Sequence, residues 1–183
     1  MKGTTLMSVE NFRRLITDLG TNVGLPDLAP DEDSYCCLGF DDKIIIHLQY
    51  NKDLDVMMLF CQLGIVDKAY REYIFPRVLK ANMFWQGTGG ATLGADEDSG
   101  EILMSYQADI QFMDYTKFQE LLEGFINTAE MWIKTLESVQ KGEAPQFEPK
   151  QKKRRRRGSR LLRSTDSRDQ GVRELKKAKI FKK

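Results

Sequence analysis

The chain contains few of the residues that catalysis and metal binding use, with one histidine and three cysteines among 183 residues. Cys36, Cys37 and Cys61 have no C-x-x-C spacing, and we predict that they are reduced, buried or half-buried thiols of a cytosolic protein. His47 lies on a predicted strand without a reactive residue beside it in sequence, which favours a structural or surface role. We therefore expect no metal, no cofactor and no catalytic residue, and an enzyme is not predicted.

Membrane-spanning and nucleotide-binding signatures are missing as well. No apolar run approaches the roughly 20 residues that cross a bilayer, and no basic segment followed by an apolar run opens the chain. Residues 87–92 are rich in glycine, but Thr92 stands where a dinucleotide fingerprint has its third glycine. The acidic residues 96–98 lack the glutamate that closes a calcium loop. A tight helix-to-strand connection and a solvated hairpin tip are the interpretations we prefer.

Charge is plentiful and is separated by sign along the chain. Residues 1–149 carry 12 Lys/Arg and 24 Asp/Glu, whereas residues 150–183 carry 16 Lys/Arg and 3 Asp/Glu. The formal net charge of +1 therefore combines an acidic body with a basic tail. We predict an acidic folded domain over residues 1–145 and a basic, disordered tail over residues 146–183.

The tail leaves several functions open. A run of adjacent cations binds phosphate groups, but Phe181 is the only aromatic residue of the tail, so sequence-specific reading of bases is not expected. Nonspecific nucleic-acid binding, attraction to anionic lipid, docking on an acidic protein surface and a solubilising role are the alternatives. The residues assigned to such contacts are Lys152, Lys153, Arg154, Arg155, Arg156 and Arg157.

Hydrophobic periodicity predicts three helices and five antiparallel strands. The clearest element is the last helix, with an N-cap at Asp114, whereas Pro76 should bend or divide the second helix because proline lacks an N–H. The predicted helices cover residues 8–19, 67–84 and 115–140, and the predicted strands cover residues 35–40, 43–50, 55–63, 91–95 and 101–112. This order is typical of an α+β sandwich, in which helices gather on one sheet.

The segment from Leu79 to Leu103 resembles the class I type III secretion chaperones of the Tir-chaperone (CesT-like) family. It contains Asn-Met-Phe at the end of a helix, a glycine loop of small residues, a short strand, an acidic hairpin tip and an apolar strand. The likeness continues into the helix that contains Trp132, and the order of elements agrees over residues 8–140. The basic tail departs from the family pattern, in which the chain commonly ends soon after the last helix.

The resemblance implies an α-β-β-β-α-β-β-α sandwich that forms a homodimer in the cytoplasm of a Gram-negative bacterium. It also implies that the dimer binds the N-terminal region of effector proteins in extended form, keeps them soluble and secretion-competent, and delivers them to the secretion apparatus. The family pairs its subunits through the second helix and the nearby strand, which here implies Tyr73, Leu79, Met83, Phe84 and Trp85.

Cargo binding in the family uses apolar patches of the first helix and the strand meander. The sequence agrees, because the predicted third strand is apolar on both faces and needs cover on two sides. Ordinary core packing is the alternative role for many of these side chains. The candidate cargo residues are Phe12, Ile16, Ile44, Ile46, Leu48, Met57 and Leu59.

Two further hypotheses concern the tail. The first is that it contacts an acidic partner, for which the secretion ATPase, an effector and the acidic face of its own dimer are candidates. The second is an alternative function for the whole chain, a nucleic-acid-binding or regulatory protein that acts through the basic C-terminal tail.

Overall fold

The computed structural model of the protein describes residues 2–40, 43–142 and 178–180, with side chains described over residues 8–40 and 43–142. The elements in chain order are α1 (Lys2–Val23), β1 (Tyr35–Phe40), β2 (Ile44–Asn51), β3 (Val56–Ile65), α2 (Lys68–Ala81), a 3₁₀ turn (Met83–Trp85), β4 (Thr92–Ala95), β5 (Glu101–Ala108), α3 (Tyr115–Gln140) and β6 (Ala178–Ile180). Up to α3 this order confirms the predicted α+β arrangement.

The strands form one antiparallel sheet in the order β4-β5-β3-β2-β1-β6. The predicted meander is present as β1, β2 and β3, and the predicted second hairpin, β4 and β5, joins it through β5 and β3. A register shift between Gln62 and Gly64 of β3 marks a bulge in that pairing. The sheet thus has β4 at one edge and β6, beside β1, at the other.

The long helix α3 forms as its periodicity predicts. The carboxylate of Asp114 accepts a hydrogen bond from the Lys117 backbone N–H at 2.8 Å, which caps the first turn. One stripe of the helix is buried and packs across the sheet, and Gly142 follows it with a φ of +73°. The buried stripe consists of Phe118, Leu122, Phe125, Ile126, Ala129, Trp132, Thr135, Leu136 and Val139.

Helix α1 is longer than the predicted residues 8–19 and lies beside α3. Its side chains Phe12, Leu15 and Ile16 are fully buried, and the Phe12 ring lies 6.2 Å from the ring of Tyr50 on β2. The helices therefore cover the face of the sheet that carries Tyr50, and the core of the protein lies between them.

Three local predictions differ from the structure. Of the two effects predicted for Pro76, a bend or a division, the division does not occur, because α2 is continuous through it and is held by the buried side chains of Ile74 and Val78. The N–H that proline lacks would have paired with the carbonyl of Glu72, which is an exposed residue. Strand β5 ends at Ala108 rather than at residue 112. The short strand β6 was not predicted, and the rest of the tail lies outside the described residues.

Candidate functional site

Four of the five residues predicted to pair subunits lie at the end of α2 and in the 3₁₀ turn, whereas Tyr73 lies in the first half of α2. Their exposed fractions are 72% for Leu79, 61% for Met83, 81% for Phe84, 59% for Trp85 and 39% for Tyr73. We call Leu79, Met83, Phe84 and Trp85 the turn patch. Large apolar side chains that cluster on a surface mark interaction sites more often than single exposed ones do.

The backbone of the turn patch is strained at its two aromatic residues. Phe84 and Trp85 both have a φ of +53°, in the left-handed region that bulky side chains rarely adopt. The turn is fixed to β4, because the Asn82 side chain donates to the Leu93 carbonyl and accepts from the Leu93 N–H, both at 2.9 Å. The surroundings thus hold two exposed aromatic rings in an unfavourable conformation, which points to a function for them.

The glycine loop that follows fulfils its predicted role as a tight connection. Gly89 and Gly90 have φ values of +60° and +97°, and a Cβ on Gly90 would lie 3.0 Å from the Tyr106 ring. The carbonyl of Gly87 accepts a hydrogen bond from the Trp132 indole N–H at 2.9 Å. This bond links the loop to α3, so both ends of the 3₁₀ turn are anchored.

The residues predicted to contact cargo are buried in the core. They lie in the core between the sheet and the helices α1 and α3, and a partner would reach them only if these helices separated from the strands. Their exposed fractions are 0% for Phe12, Ile16, Ile46, Leu48, Met57 and Leu59 and 3% for Ile44. Direct contact between these side chains and a client therefore stays a prediction. Their positions match the alternative considered in the sequence analysis, which was packing in the core.

The opposite face of the same strands is partly exposed. Ile45 and Leu103 are 43% and 41% exposed, and Tyr35, His47 and Phe60 are half-buried beside them. The strand register puts these residues on one face, since Cys37 is paired with His47, His47 with Phe60, and Gln62 with Leu103. We call Tyr35, Ile45, His47, Phe60 and Leu103 the open face. Sequence reasoning noted the alternation of apolar residues here but assigned the client to the face that the helices cover.

Aromatic stacking organises the open face. The ring centroid of His47 lies 4.8 Å from that of Phe60 and 5.8 Å from that of Tyr35, and His47 Nδ1 lies 2.5 Å from the Tyr35 hydroxyl. Burial, with a smaller contribution from Cys37, raises the pKa of Tyr35 to about 12, so the hydroxyl is protonated at neutral pH. The histidine thus has the structural role that the sequence favoured.

The neighbouring positions on this face are mostly uncharged. Gln49, Gln62, Ser105 and Gln107 extend it along β2, β3 and β5 by the same register, and Glu101 places a carboxylate at its end, two residues before Leu103. The centre of the open face is therefore apolar and neutral, on a body in which acidic residues outnumber basic ones two to one. Such a surface suits an extended segment with apolar side chains better than it suits a nucleic acid.

The acidic hairpin between β4 and β5 is a local turn, as predicted. The carboxylate of Asp96 accepts hydrogen bonds from the backbone N–H and the hydroxyl of Ser99, both at 2.7 Å, and these bonds lower its pKa. The Arg71 guanidinium donates to the carbonyls of Val66, Glu97 and Asp98 and so attaches the hairpin to α2. Over the described part of the chain, no group of three or more His, Cys, Asp or Glu residues is arranged to hold a metal ion.

The cysteines and the tail complete the predicted features. All three cysteines are free and buried, which confirms the predicted burial. Burial raises the pKa of Cys36 and of Cys61 to about 12. The basic residues 152–157 lie outside the described residues. Among the helices that are described, none is long and apolar enough to cross a bilayer.

The chain has a relative of similar sequence and fold in Pseudomonas aeruginosa. The protein "Transcriptional anti-antiactivator ExsC" of Pseudomonas aeruginosa is 24% identical over 123 residues, which are 67% of this chain and 83% of that protein. The crystal structure of the ExsC–ExsE complex aligns with a TM-score of 0.60 and 23% identity, and covers 70% of this chain and 95% of that one.

Two further solved structures share the fold. The Yersinia pestis type III secretion chaperone SycH, in complex with a stable fragment of YscM2, aligns with a TM-score of 0.54 and 19% identity over 66% of this chain and 98% of that one. The HopA1–SchA chaperone–effector complex aligns with a TM-score of 0.57 and 16% identity over 70% of this chain and 97% of that one. These likenesses confirm the α+β sandwich.

The model of the Tir chaperone protein (CesT) family matches residues 14–133. This range includes the C-terminal part of α1, the described sheet except β6, the turn patch and most of α3. The chain therefore belongs to the Tir chaperone protein (CesT) family, the class I chaperones of type III secretion.

Proposed function

We propose that this chain is a homodimeric, noncatalytic chaperone in the cytoplasm of a Gram-negative bacterium. It binds the N-terminal region of secreted effector proteins in extended form, keeps them soluble and delivers them to the secretion apparatus. Membership of the family supports this role, and so do the solved relatives, two of which are described as a chaperone–effector complex and as a secretion chaperone bound to a protein fragment.

The observation that carries the proposal is the open face. A strand that packs helices on one side and leaves apolar side chains partly exposed on the other has incomplete cover. An extended client segment can complete that cover by placing its own apolar side chains on Ile45, Phe60 and Leu103. The buried residues predicted to contact cargo act from beneath, because they fix the strands that carry these side chains.

The proposed dimer uses the turn patch. Phe84, Trp85, Met83 and Leu79 project from a segment that Asn82 anchors to β4, so they form a preorganised surface that loses little entropy on pairing. A twofold axis through this patch would bring the same residues of both subunits together, as isologous pairing requires. The open face lies on other elements, so both surfaces can be occupied at once.

The test of client binding compares two substitutions that introduce the same charge. The tagged full-length chain is purified from its native bacterium, and the proteins that come with it are compared with those found in the secreted fraction. Ile45→Glu should remove the shared proteins, because it places a carboxylate on the apolar open face. Leu54→Glu is the control, since Leu54 is 59% exposed in the turn between β2 and β3.

Two results would contradict the proposal. One is that no secreted protein is recovered with the unaltered chain. The other is that Ile45→Glu and Leu54→Glu retain the same secreted proteins in the same amounts. Circular dichroism and the unfolding temperature of both variants must match those of the unaltered chain, because Ile45 is only partly buried.

A regulatory role is the second candidate, and the likeness to a protein named as a transcriptional anti-antiactivator favours it. Such a role requires no binding to DNA by this chain, because a chaperone can act on transcription by holding another regulatory protein. The version in which the basic tail binds nucleic acid predicts a gel shift at physiological salt that is lost when residues 150–183 are deleted. If neither the full-length chain nor the chain without residues 150–183 shifts nucleic acid, the remaining partners for the tail are proteins, including the secretion ATPase.

A further inference from the structure

The two edges of the sheet are closed by different devices. At the β4 edge, the side-chain amide of Asn82 pairs with both backbone groups of Leu93. At the β1 edge, the cover is the strand β6 from the far end of the chain. An edge that lacks such cover is a template for pairing with another extended chain. The strand that covers β1 therefore determines whether another extended chain can pair with this edge.

The backbone of β1 shows which groups face that edge. Successive residues of an antiparallel strand direct their N–H and C=O groups alternately to the two neighbouring strands. The Tyr50 N–H donates to the Ser34 carbonyl at 3.0 Å, so Ser34 and every second residue after it face β2. Tyr35, Cys37 and Gly39 consequently direct their backbone groups to the outer edge.

Two segments share the outer edge. At Tyr35, the N–H donates to the Asp31 carboxylate at 2.9 Å and the carbonyl accepts from the Asp31 N–H at 2.8 Å, so the preceding loop closes this end. At Gly39, the register places Lys179 of β6 directly opposite. Because Gly39 faces outward, the alternation makes Gly39 and Lys179 the hydrogen-bonded pair of this ladder.

We propose that the outer edge of β1 is an acceptor site for an extended peptide strand and that the C-terminal strand β6 of the same chain occupies it in the free protein. A client segment that pairs with β1 must then displace β6, so the C-terminus is a built-in competitor. The inference rests on the proposed function for the identity of the client. Occupancy of the edge by β6 does not depend on it.

Three observations support this assignment. The cover is a strand of only three residues, which a longer segment can replace. Pairing through main-chain groups tolerates many sequences, as a chaperone with more than one client would need. The edge also adjoins the open face. Tyr35 of the open face belongs to β1, and Gly39 of β1 is the strand partner of Ile45. A client bound along β1 can therefore continue across the open face.

The first experiment tests the occupancy of the edge in the full-length chain. Lys179→Pro removes the N–H that pairs with Gly39, whereas Lys179→Ala removes the same charge and keeps the N–H. Amide hydrogen exchange at Gly39, followed by NMR, should be about tenfold faster or more in the proline variant than in the alanine variant. Equal exchange in the two variants would overturn the proposal, because β6 would not be covering Gly39.

The second experiment tests the acceptor site with a labelled synthetic peptide of residues 172–183. Two peptides are used, one with Lys179→Ala and one with Lys179→Pro, so that their charges match. If β6 holds the edge about nine-tenths of the time, the alanine peptide should bind the Lys179→Pro chain about tenfold tighter than the Lys179→Ala chain. The proline peptide should bind both chains equally and weakly, at 0.15 M and 0.5 M salt alike.

The peptide results separate strand pairing from charge attraction. Equal binding of both peptides, or equal binding of the alanine peptide to both chains, would overturn the acceptor site. Neither experiment uses an effector protein. A failure to recover secreted clients would therefore contradict the proposed function, whereas hydrogen exchange and peptide binding would still decide the role of β6.

Discussion

Replacement of Phe84 by alanine is the sharpest test of the proposed dimer. Phe84 has the most exposed side chain of the turn patch, at 81%, and its truncation removes no described core contact. The fold of the subunit should therefore be unaffected, with a change in unfolding free energy within about 0.5 kcal/mol, as is usual for surface positions. Any loss should appear in the association of subunits instead.

The size of that loss follows from the exposed fraction. Full burial of a phenylalanine side chain stabilises by roughly 1.5–3 kcal/mol, so burial of the four-fifths that Phe84 exposes contributes about 2 kcal/mol. A twofold interface contains this residue twice, which gives about 4 kcal/mol per dimer. At 1.4 kcal/mol for each factor of ten, the dissociation constant of the dimer should rise about 1,000-fold.

Phe112 provides a control of the same type and exposure. It is also 81% exposed but lies in the loop between β5 and α3, which the Asn11 side chain attaches to α1 through the carbonyls of Ile110 and Met113. Sedimentation equilibrium of the unaltered chain, Phe84→Ala and Phe112→Ala over a range of concentrations gives all three constants. A monomeric unaltered chain, or equal constants for the two variants, would refute the reasoning.

Two further predictions concern stability. Gly100→Ala should lower the free energy of unfolding in urea by about 2–4 kcal/mol, because the φ of Gly100 is +82° and a Cβ would lie 2.4 Å from the Val66 carbonyl oxygen and 2.5 Å from Arg71 Nη2. The control is Gly94→Ala, where a Cβ meets nothing within 4 Å and the loss should be less than about 1 kcal/mol. Equal losses in the two variants would contradict this account. Burial raises the pKa of Cys61 from 9.0 to about 12, so above pH 9 the unfolded chain loses this proton first and stability falls with rising pH. Cys61→Ala should reduce that slope by about 0.7 kcal/mol per pH unit at pH 9, where the unfolded thiol is half ionised, and by about 1.3 kcal/mol per pH unit near pH 10.5, and an unchanged slope would show that the thiol is not responsible.

Local patterns in the sequence predicted the elements that depend on nearby residues. The apolar stripe of α3 and its N-cap at Asp114 follow from spacing alone, and strand β1 has the predicted bounds. The glycine loop was assigned its positive φ values because no other residue type tolerates them so easily. In each case the physical cause lies within a few residues of the element itself.

Other features depend on contacts that the sequence does not display. Alternation along β3 shows two apolar faces, but it does not say which face α1 and α3 cover, and the assignment of cargo residues went to the buried one. The left-handed conformation of Phe84 and Trp85 contradicts their intrinsic preference, and the bonds between Asn82 and Leu93 that accompany it join residues of separate elements. Strand β6 pairs with a segment that lies at the other end of the chain.

The separation of charge along the chain helps to explain why β6, a strand of only three residues, stays paired with β1. A three-residue strand offers few ladder bonds, each with a net contribution of about 1 kcal/mol, and closing the long intervening segment opposes it. The opposite charges of body and tail reduce that opposition, since the tail is attracted to the body before any strand forms. Attachment to the same chain also gives β6 a high effective concentration at β1. A client therefore competes best when it pairs with β1 and also fills the open face, which β6 alone does not cover. The preference for extended, apolar segments then follows from competition as well as from fit.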